Sequence, residues 1–114
     1  SVALLQAVRA AVSPTYPLIF DSGVRHGEDI VKALALGADF VMLGRPIMFA
    51  LAAAGASGLY QYLDGITSEI STTMAQISAC SIAEITTDCL FQPTSGSPPN
   101  TKEIIAKIWS DQQK

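Results

Sequence analysis

Two glycine–arginine turns, each entered from an apolar run, carry the strongest chemical signal in the chain: LIFDSGVRHGEDIV at 18–31 and FVMLGRPIMFA at 40–50. Both read as a strand that runs through a tight turn into a helix. Backbone N–H groups at a helix start lack intrahelical acceptors and lie at the positive end of the helix dipole, so such turns bind anions. Adjacent strands lie roughly 4.8 Å apart, close enough for Gly23, Arg25, Gly44 and Arg45 to surround a single phosphate. The arginine fork suits a phosphate because it donates two parallel hydrogen bonds. Each residue also has a plainer reading. Gly23 and Gly44 can serve only to permit tight turns, Arg25 and Arg45 can be surface arginines, and Asp21 can be a turn-forming aspartate at a strand end. Matched arginines in matched turns favour the phosphate.

His26 is the chain's one histidine, the residue type most often used as a general base near neutral pH. It follows the presumed phosphate arginine and leads into a helix, which suits a solvated side chain or a helper at the phosphate rather than a base.

The elements that must position these turns alternate. SVALLQAVRAAV places Val2, Leu5, Val8 and Val12 at helical spacing and stops before Pro14. It opens on what reads as mid-helix, which suggests a preceding segment. PLIF is a short apolar run of the kind that forms a fully buried parallel strand. Glu28 and Asp29 favour the first turn of the next helix, Ile30 and Leu34 supply its apolar face, and Gly37 its C-terminal cap. ADFVMLG repeats the strand, and Pro46 stands where a first-turn proline needs no N–H. The alanine-rich run from Pro46 to Ala56 reads as a buried or packed helix. Leu59, Tyr62, Leu63, Ile66, Ile70, Met74 and Ile77 then form an amphipathic stripe, read as packing, with Glu69 and Glu84 as solvated face or cap. Ser81 with Glu84 resembles a capping box. FQPTSGSPPN at 91–100 is a loop or linker, and Asn100 with Glu103 opens a last helix bearing Ile104, Ile105, Ile108 and Trp109. Such alternation predicts an α/β unit with a parallel sheet and right-handed crossovers. Two strands alone would leave hydrophobic edges exposed.

Composition narrows the function classes. With 114 residues, 49% of them hydrophobic, the chain has the makings of one modest packed domain. Seven basic against ten acidic residues, a net charge of −3, and no basic stripe argue against a nucleic-acid partner. The Pro46–Ala56 run is shorter than the ~18 apolar residues of a membrane span, so no membrane partner is expected. Cys80 and Cys89 have neither metal-ligand spacing nor the density of a disulfide scaffold. They read as small buried hydrophobes in a reducing compartment, and no metal is expected. With no targeting signal at either end, the expected location is cytoplasmic.

The block PLIFDSGVRHGEDIVKALALGADFVMLGRPIMFALAAAGASG, continued through SEISTTMAQISACSIAEI to about Ile85, resembles the C-terminal segment of the FMN-dependent α-hydroxy-acid oxidases and dehydrogenases. That family includes glycolate oxidase, lactate oxidase and flavin-dependent lactate dehydrogenases. The combination of DSGVR, KALALGAD and GRP at this spacing carries the likeness. It implies a C-terminal fragment of a (β/α)8 TIM barrel, with PLIFD as the seventh strand and FVMLG as the eighth, where TIM barrels commonly bind phosphate. By the resemblance Asp21 would hydrogen-bond the ribityl hydroxyls of FMN, while Gly23, Arg25, Gly44 and Arg45 would hold its phosphate. Ser22 stands where relatives carry glycine or serine and belongs to the same cofactor-binding set. The family often has a second basic residue at the position of His26, and its typical glycine, cysteine and arginine after TMA are here Ser78, Ala79 and Cys80.

The resemblance further implies that residues 1–87 are part of such a barrel, with 88–114 a linker and helical tail. The parent would oxidise an L-2-hydroxy acid to a 2-oxo acid. The family's catalytic histidine and carboxylate-binding arginine lie in a segment preceding this one, so no catalytic residue is expected within the chain, which alone would be inactive. Relatives often form tetramers, so a homo-oligomer is a further expectation. The competing readings are another FMN- or phosphate-binding barrel, of the isopentenyl diphosphate isomerase or IMP dehydrogenase kind, and a non-catalytic binding or assembly module.

Overall fold

A computed structural model of the chain describes residues 4–91. Over them the order is α1 (Leu5–Ala11), β1 (Ile19–Phe20), α2 (Gly27–Ala35), β2 (Phe40–Val41) and α3 (Arg45–Gln76), followed by single 3-10 turns at Ile82–Glu84 and Thr87–Cys89. β1 and β2 pair in parallel, Ile19 opposite Phe40 and Phe20 opposite Val41. The expected strand–helix–strand–helix order and the parallel pairing are both present. Val2, the expected linker at 91–100 beyond Phe91, and the expected last helix from Asn100 onward lie outside the described residues.

Local signals place the boundaries. Val12 is already extended two residues before Pro14, so α1 ends ahead of the proline, before which helices usually stop. Gly37 follows α2 with φ +100 and donates its N–H to the Leu34 carbonyl, the left-handed helix ending that glycine permits without strain. Pro46 sits in the first turn of α3, where a missing N–H costs nothing.

The core has two parts with α2 between them. On one side Ala33 is buried with Leu5 of α1 and Ala38, flanked by Leu18, Phe20, Leu36 and Val41. On the other, Val31 and Ala35 are buried with Ala79 and Ile85, against Ile70, Met74, Ile77 and Leu90. The apolar face of α2 therefore centres on Val31, while Ile30 and Leu34 sit at its half-buried margin.

Several expectations of burial are corrected. β1 is not fully buried: Ile19 is 61% exposed and its neighbour across the ladder, Phe40, 65%. Successive side chains of a strand point to opposite faces, so Phe20 and Val41 reach the core while Ile19 and Phe40 occupy the uncovered face. The sequence predicts exposed edges; the described residues leave one whole face of the sheet uncovered. The run from Pro46 to Ala56 is helical only as far as a bend at Ala54 and Gly55 and is not buried, since Ile66 is the only buried residue of α3. Val8 and Leu63 are also exposed, and so is Cys80, with Cys89 half-buried.

α3 is bent. Ala54 (φ −150°, ψ 26°) and Gly55 (φ 58°, ψ −143°) leave helical geometry, and the chain resumes the helix beyond them. The part after the bend packs on α2 through Ile70 and Met74, as the amphipathic stripe predicts. After it, Glu84 accepts a hydrogen bond from the Cys80 N–H at 2.7 Å. The expected capping box with Ser81 is not formed, and Ser81 makes no side-chain cap.

Candidate functional site

Parallel pairing brings the two turns to the same end of the sheet, the carboxyl end, where each strand hands over to a helix. One open cleft of about 620 Å³ lies between them, lined by Asp21, Ser22, Gly23, Arg25, Gly44 and Arg45, all six of the residues singled out from the sequence. Val24, His26, Met42, Pro46 and Phe49 complete the wall. Phe49 lies one helical turn beyond Arg45, so the i, i+4 spacing could have placed it on the same face. Met42 shares the uncovered sheet face with Phe40 by strand alternation.

The backbone of the first turn is unusual. Ser22 (φ 106°) and Gly23 (φ 78°) adopt positive φ in succession, a conformation that disfavours any side chain and is retained where surrounding structure imposes it. A Cβ placed on Gly23 or Gly44 would meet nothing within 4 Å, so the peptide units at both turns lie open to a ligand. The N–H groups of Gly23, Gly44 and Arg45 donate to no group among the described residues, and neither do the guanidinium groups of Arg25 and Arg45.

The start of α2 departs from the simple cradle. Asp29 Oδ2 accepts the N–H groups of Arg25 and His26, each at 3.1 Å, and Glu69 Oε2 of α3 accepts the Gly27 N–H at 2.6 Å. The N–H groups leading into α2, those of Arg25, His26 and Gly27, are therefore satisfied by the protein's own carboxylates. The donors left without a partner at this turn are the Gly23 N–H and the Arg25 side chain, while at the start of α3 the Gly44 and Arg45 N–H groups are open. On the far side of Arg25 the Tyr62 hydroxyl donates to the Arg25 carbonyl at 3.0 Å. Burial, and then the nearby Glu69 and Asp29 carboxylates, push the Tyr62 phenol above its ordinary pKa.

His26 does not have the setting of a general base. Its side chain is two-thirds exposed and its Nδ1 lies 3.8 Å from Glu69 Oε2, facing the brace behind the cleft. Asp21 stands at the strand end. An ionised carboxylate only accepts hydrogen bonds, which suits hydroxyl donors and not a phosphate. Among the described residues no cluster of His, Cys, Asp and Glu could hold a metal ion, and no helix is long and apolar enough to cross a membrane.

Two arginines, three backbone N–H groups without a partner among the described residues and open glycine backbone thus gather at the carboxyl ends of the two parallel strands. Residues 1–92 match the FMN-dependent dehydrogenase family, and the chain belongs to it. FMN is the cofactor of that family. An L-lactate dehydrogenase of Acinetobacter baumannii (strain SDF) is 47% identical over 92 residues, which are 81% of this chain and 24% of that protein. An L-lactate oxidase of Alicycliphilus denitrificans is 47% identical over 90 residues, 79% of this chain and 25% of the relative. The chain thus spans about a quarter of the length of the curated relatives it matches. Among solved structures, an active (S)-mandelate dehydrogenase mutant superposes with a TM-score of 0.76 at 39% identity, covering 81% of this chain and 26% of that one. A mandelate oxidase variant carrying a monooxide FMN adduct gives 0.71 at 39% identity, over 74% of this chain and 27% of the other.

Proposed function

We propose that this chain is the phosphate-holding part of an FMN-dependent enzyme that oxidises an L-2-hydroxy acid to the 2-oxo acid, with β1 and β2 as the seventh and eighth strands of a (β/α)8 barrel. The observation that carries the reading is the meeting of both glycine–arginine turns in one cleft. Membership of the FMN-dependent dehydrogenase family supports it, as do relatives whose names specify L-lactate and (S)-mandelate.

In this reading Gly23, Gly44 and Arg45 offer their N–H groups to the FMN phosphate, and the Arg25 and Arg45 guanidinium groups offset its charge. Asp21 accepts from ribityl hydroxyls beside it, and Ser22 holds the turn that presents Gly23. When bound, FMN supplies the acceptor for the two electrons lost as the substrate's α C–H and O–H bonds give way to a carbonyl. The residues of this chain bind and orient. His26 is given no proton transfer, since its ring faces Glu69. The base that takes the substrate proton and the cation that holds its carboxylate come from outside these 114 residues, and the chain alone is inactive.

Titration of the chain with FMN and, in parallel, with riboflavin tests the assignment, because the two ligands differ only in the phosphate. Charge-assisted hydrogen bonds contribute about 1.5–3 kcal/mol each, so FMN should bind at least about tenfold tighter. The preference should vanish in an Arg25→Ala, Arg45→Ala double variant. FMN bound no better than riboflavin, absence of both included, would overturn the reading.

A further inference from the structure

We infer that Tyr62 and Glu69 are positioning residues for the phosphate grip: from beyond the bend in α3 they fix the peptide units of Arg25 and Gly27, so that one helix holds both halves of the cradle. The inference rests on the proposed role of the cleft and adds two residues that do not line it.

α3 begins at Arg45, one wall of the cleft, and after its bend at Ala54 and Gly55 runs back over α2. There Tyr62 donates to the Arg25 carbonyl at 3.0 Å, and Glu69 accepts the Gly27 N–H at 2.6 Å. The two residues are seven apart, two helical turns, and so share a face. Asp29 takes the Arg25 N–H, which leaves the peptide groups on both sides of the Arg25 Cα tied to protein. An arginine whose own backbone is fixed loses less freedom on gripping a phosphate, and preorganisation of that kind appears as affinity. The Arg25 carbonyl requires a protonated hydroxyl, the form that burial of Tyr62 further favours. Glu69 also keeps its carboxylate turned to Gly27 and His26, so the acceptor that braces the turn is engaged rather than opposing the anion.

The test compares FMN and riboflavin affinities of the full chain with those of Tyr62→Phe, Glu69→Ala and Glu69→Gln. Loss of one ordinary hydrogen bond corresponds to about a 3- to 10-fold change, and Tyr62→Phe and Glu69→Ala should each weaken FMN by that much while leaving riboflavin unchanged. Glu69→Gln retains an acceptor for the Gly27 N–H and should bind FMN no more weakly than the parent. Amide exchange at Gly27 should accelerate in Glu69→Ala and remain at the parent rate in Glu69→Gln, a readout that needs no flavin. Should Glu69→Ala fail to fold, Tyr62→Phe, which removes one oxygen from a half-buried ring, carries the test. Parent-like FMN affinity in Tyr62→Phe, or an equal loss of FMN and riboflavin, would overturn the inference. If the parent itself fails to prefer FMN, the phosphate reading falls and this inference with it. A parent that prefers FMN beside variants that match it isolates the failure to Tyr62 and Glu69.

Discussion

Gly27 and Glu69 are in contact closer than any side chain at position 27 would allow: the Gly27 N–H meets the Glu69 carboxylate at 2.6 Å, and a Cβ on Gly27 would lie 2.6 Å from the Glu69 Cβ and from the Ile70 nitrogen. Alanine in a helix is ordinarily about 1 kcal/mol better than glycine. Here it must push α2 away from α3, and overpacking of that kind costs about 1–3 kcal/mol. Gly27→Ala should therefore lower the urea midpoint of the chain. An unchanged or higher midpoint would mean that the two helices are not pressed together at this point.

What was legible in the sequence was local. The Gly37 cap, the Pro46 helix start and the repeated strand–glycine–arginine turn are each set by residues within a few positions, and all three stand where expected. The braces were not legible because their partners are remote: Tyr62 reaches Arg25 across 37 positions and Glu69 reaches Gly27 across 42. In an amphipathic stripe a tyrosine reads as packing and a glutamate as solvated face, and nothing nearby separates those roles from a bracing one. Burial is hidden from the sequence for a different reason. An apolar run such as PLIF encodes a two-sided strand, yet the described residues cover only the face of Phe20 and Val41 and leave Ile19 exposed. The bend at Ala54 and Gly55 passed unread because glycines within an alanine-rich helix signal only a propensity cost.

Arg9, which also has partners beyond the reach of helical spacing, ties α1 to two loops. It donates to the carbonyls of Ser13 at 2.6 Å, Tyr16 at 2.8 Å and Gly37 at 3.4 Å, and to Asp39 Oδ2 at 3.3 Å. Asp39 Oδ2 in turn accepts the Leu18 N–H at 2.8 Å, beside β1. A lysine ammonium cannot reproduce that fork. Arg9→Lys should destabilise the chain by about 1.5–3 kcal/mol, the range for hydrogen bonds to a charged group, with FMN preference retained in whatever fraction is folded. Thermal unfolding followed by circular dichroism decides it, and a melting point equal to the parent's would show the fork to be dispensable.

The raised Tyr62 pKa has a pH consequence of definite sign. Its ordinary value is 10.0, and burial, followed by the Glu69 and Asp29 charges, holds the folded-state value higher. The neutral form is thus favoured by folding. Its contribution is fully present below the unfolded-state value and is lost as pH rises through the folded-state value. A spectrophotometric titration of the phenols should show one ionising late, absent in Tyr62→Phe and shifted downward in Glu69→Ala. A late step that survives Tyr62→Phe would assign the shift to another tyrosine.

The bend in α3 sets where Arg45 stands relative to Tyr62 and Glu69, so it should control both stability and the grip. At φ 58° and ψ −143° Gly55 occupies a region that side chains rarely tolerate, at a cost of about 1–3 kcal/mol for a residue with a Cβ. Three residues later a Cβ on Gly58 would collide with the Ala50 carbonyl oxygen, which shows how closely the two parts of the helix fold together. Gly65, beyond the bend and with nothing within 4 Å of its Cβ position, is the natural control. There alanine should gain up to about 1 kcal/mol through helix propensity. Gly55→Ala should lower the unfolding midpoint and reduce the preference for FMN over riboflavin, while Gly65→Ala should raise the midpoint and leave the preference intact. If Gly55→Ala lost stability alone, the bend would serve the fold without setting the cradle. If the two variants behaved alike, Gly55 would not be holding the bend, and the link between the two ends of α3 would have to run through α2 alone.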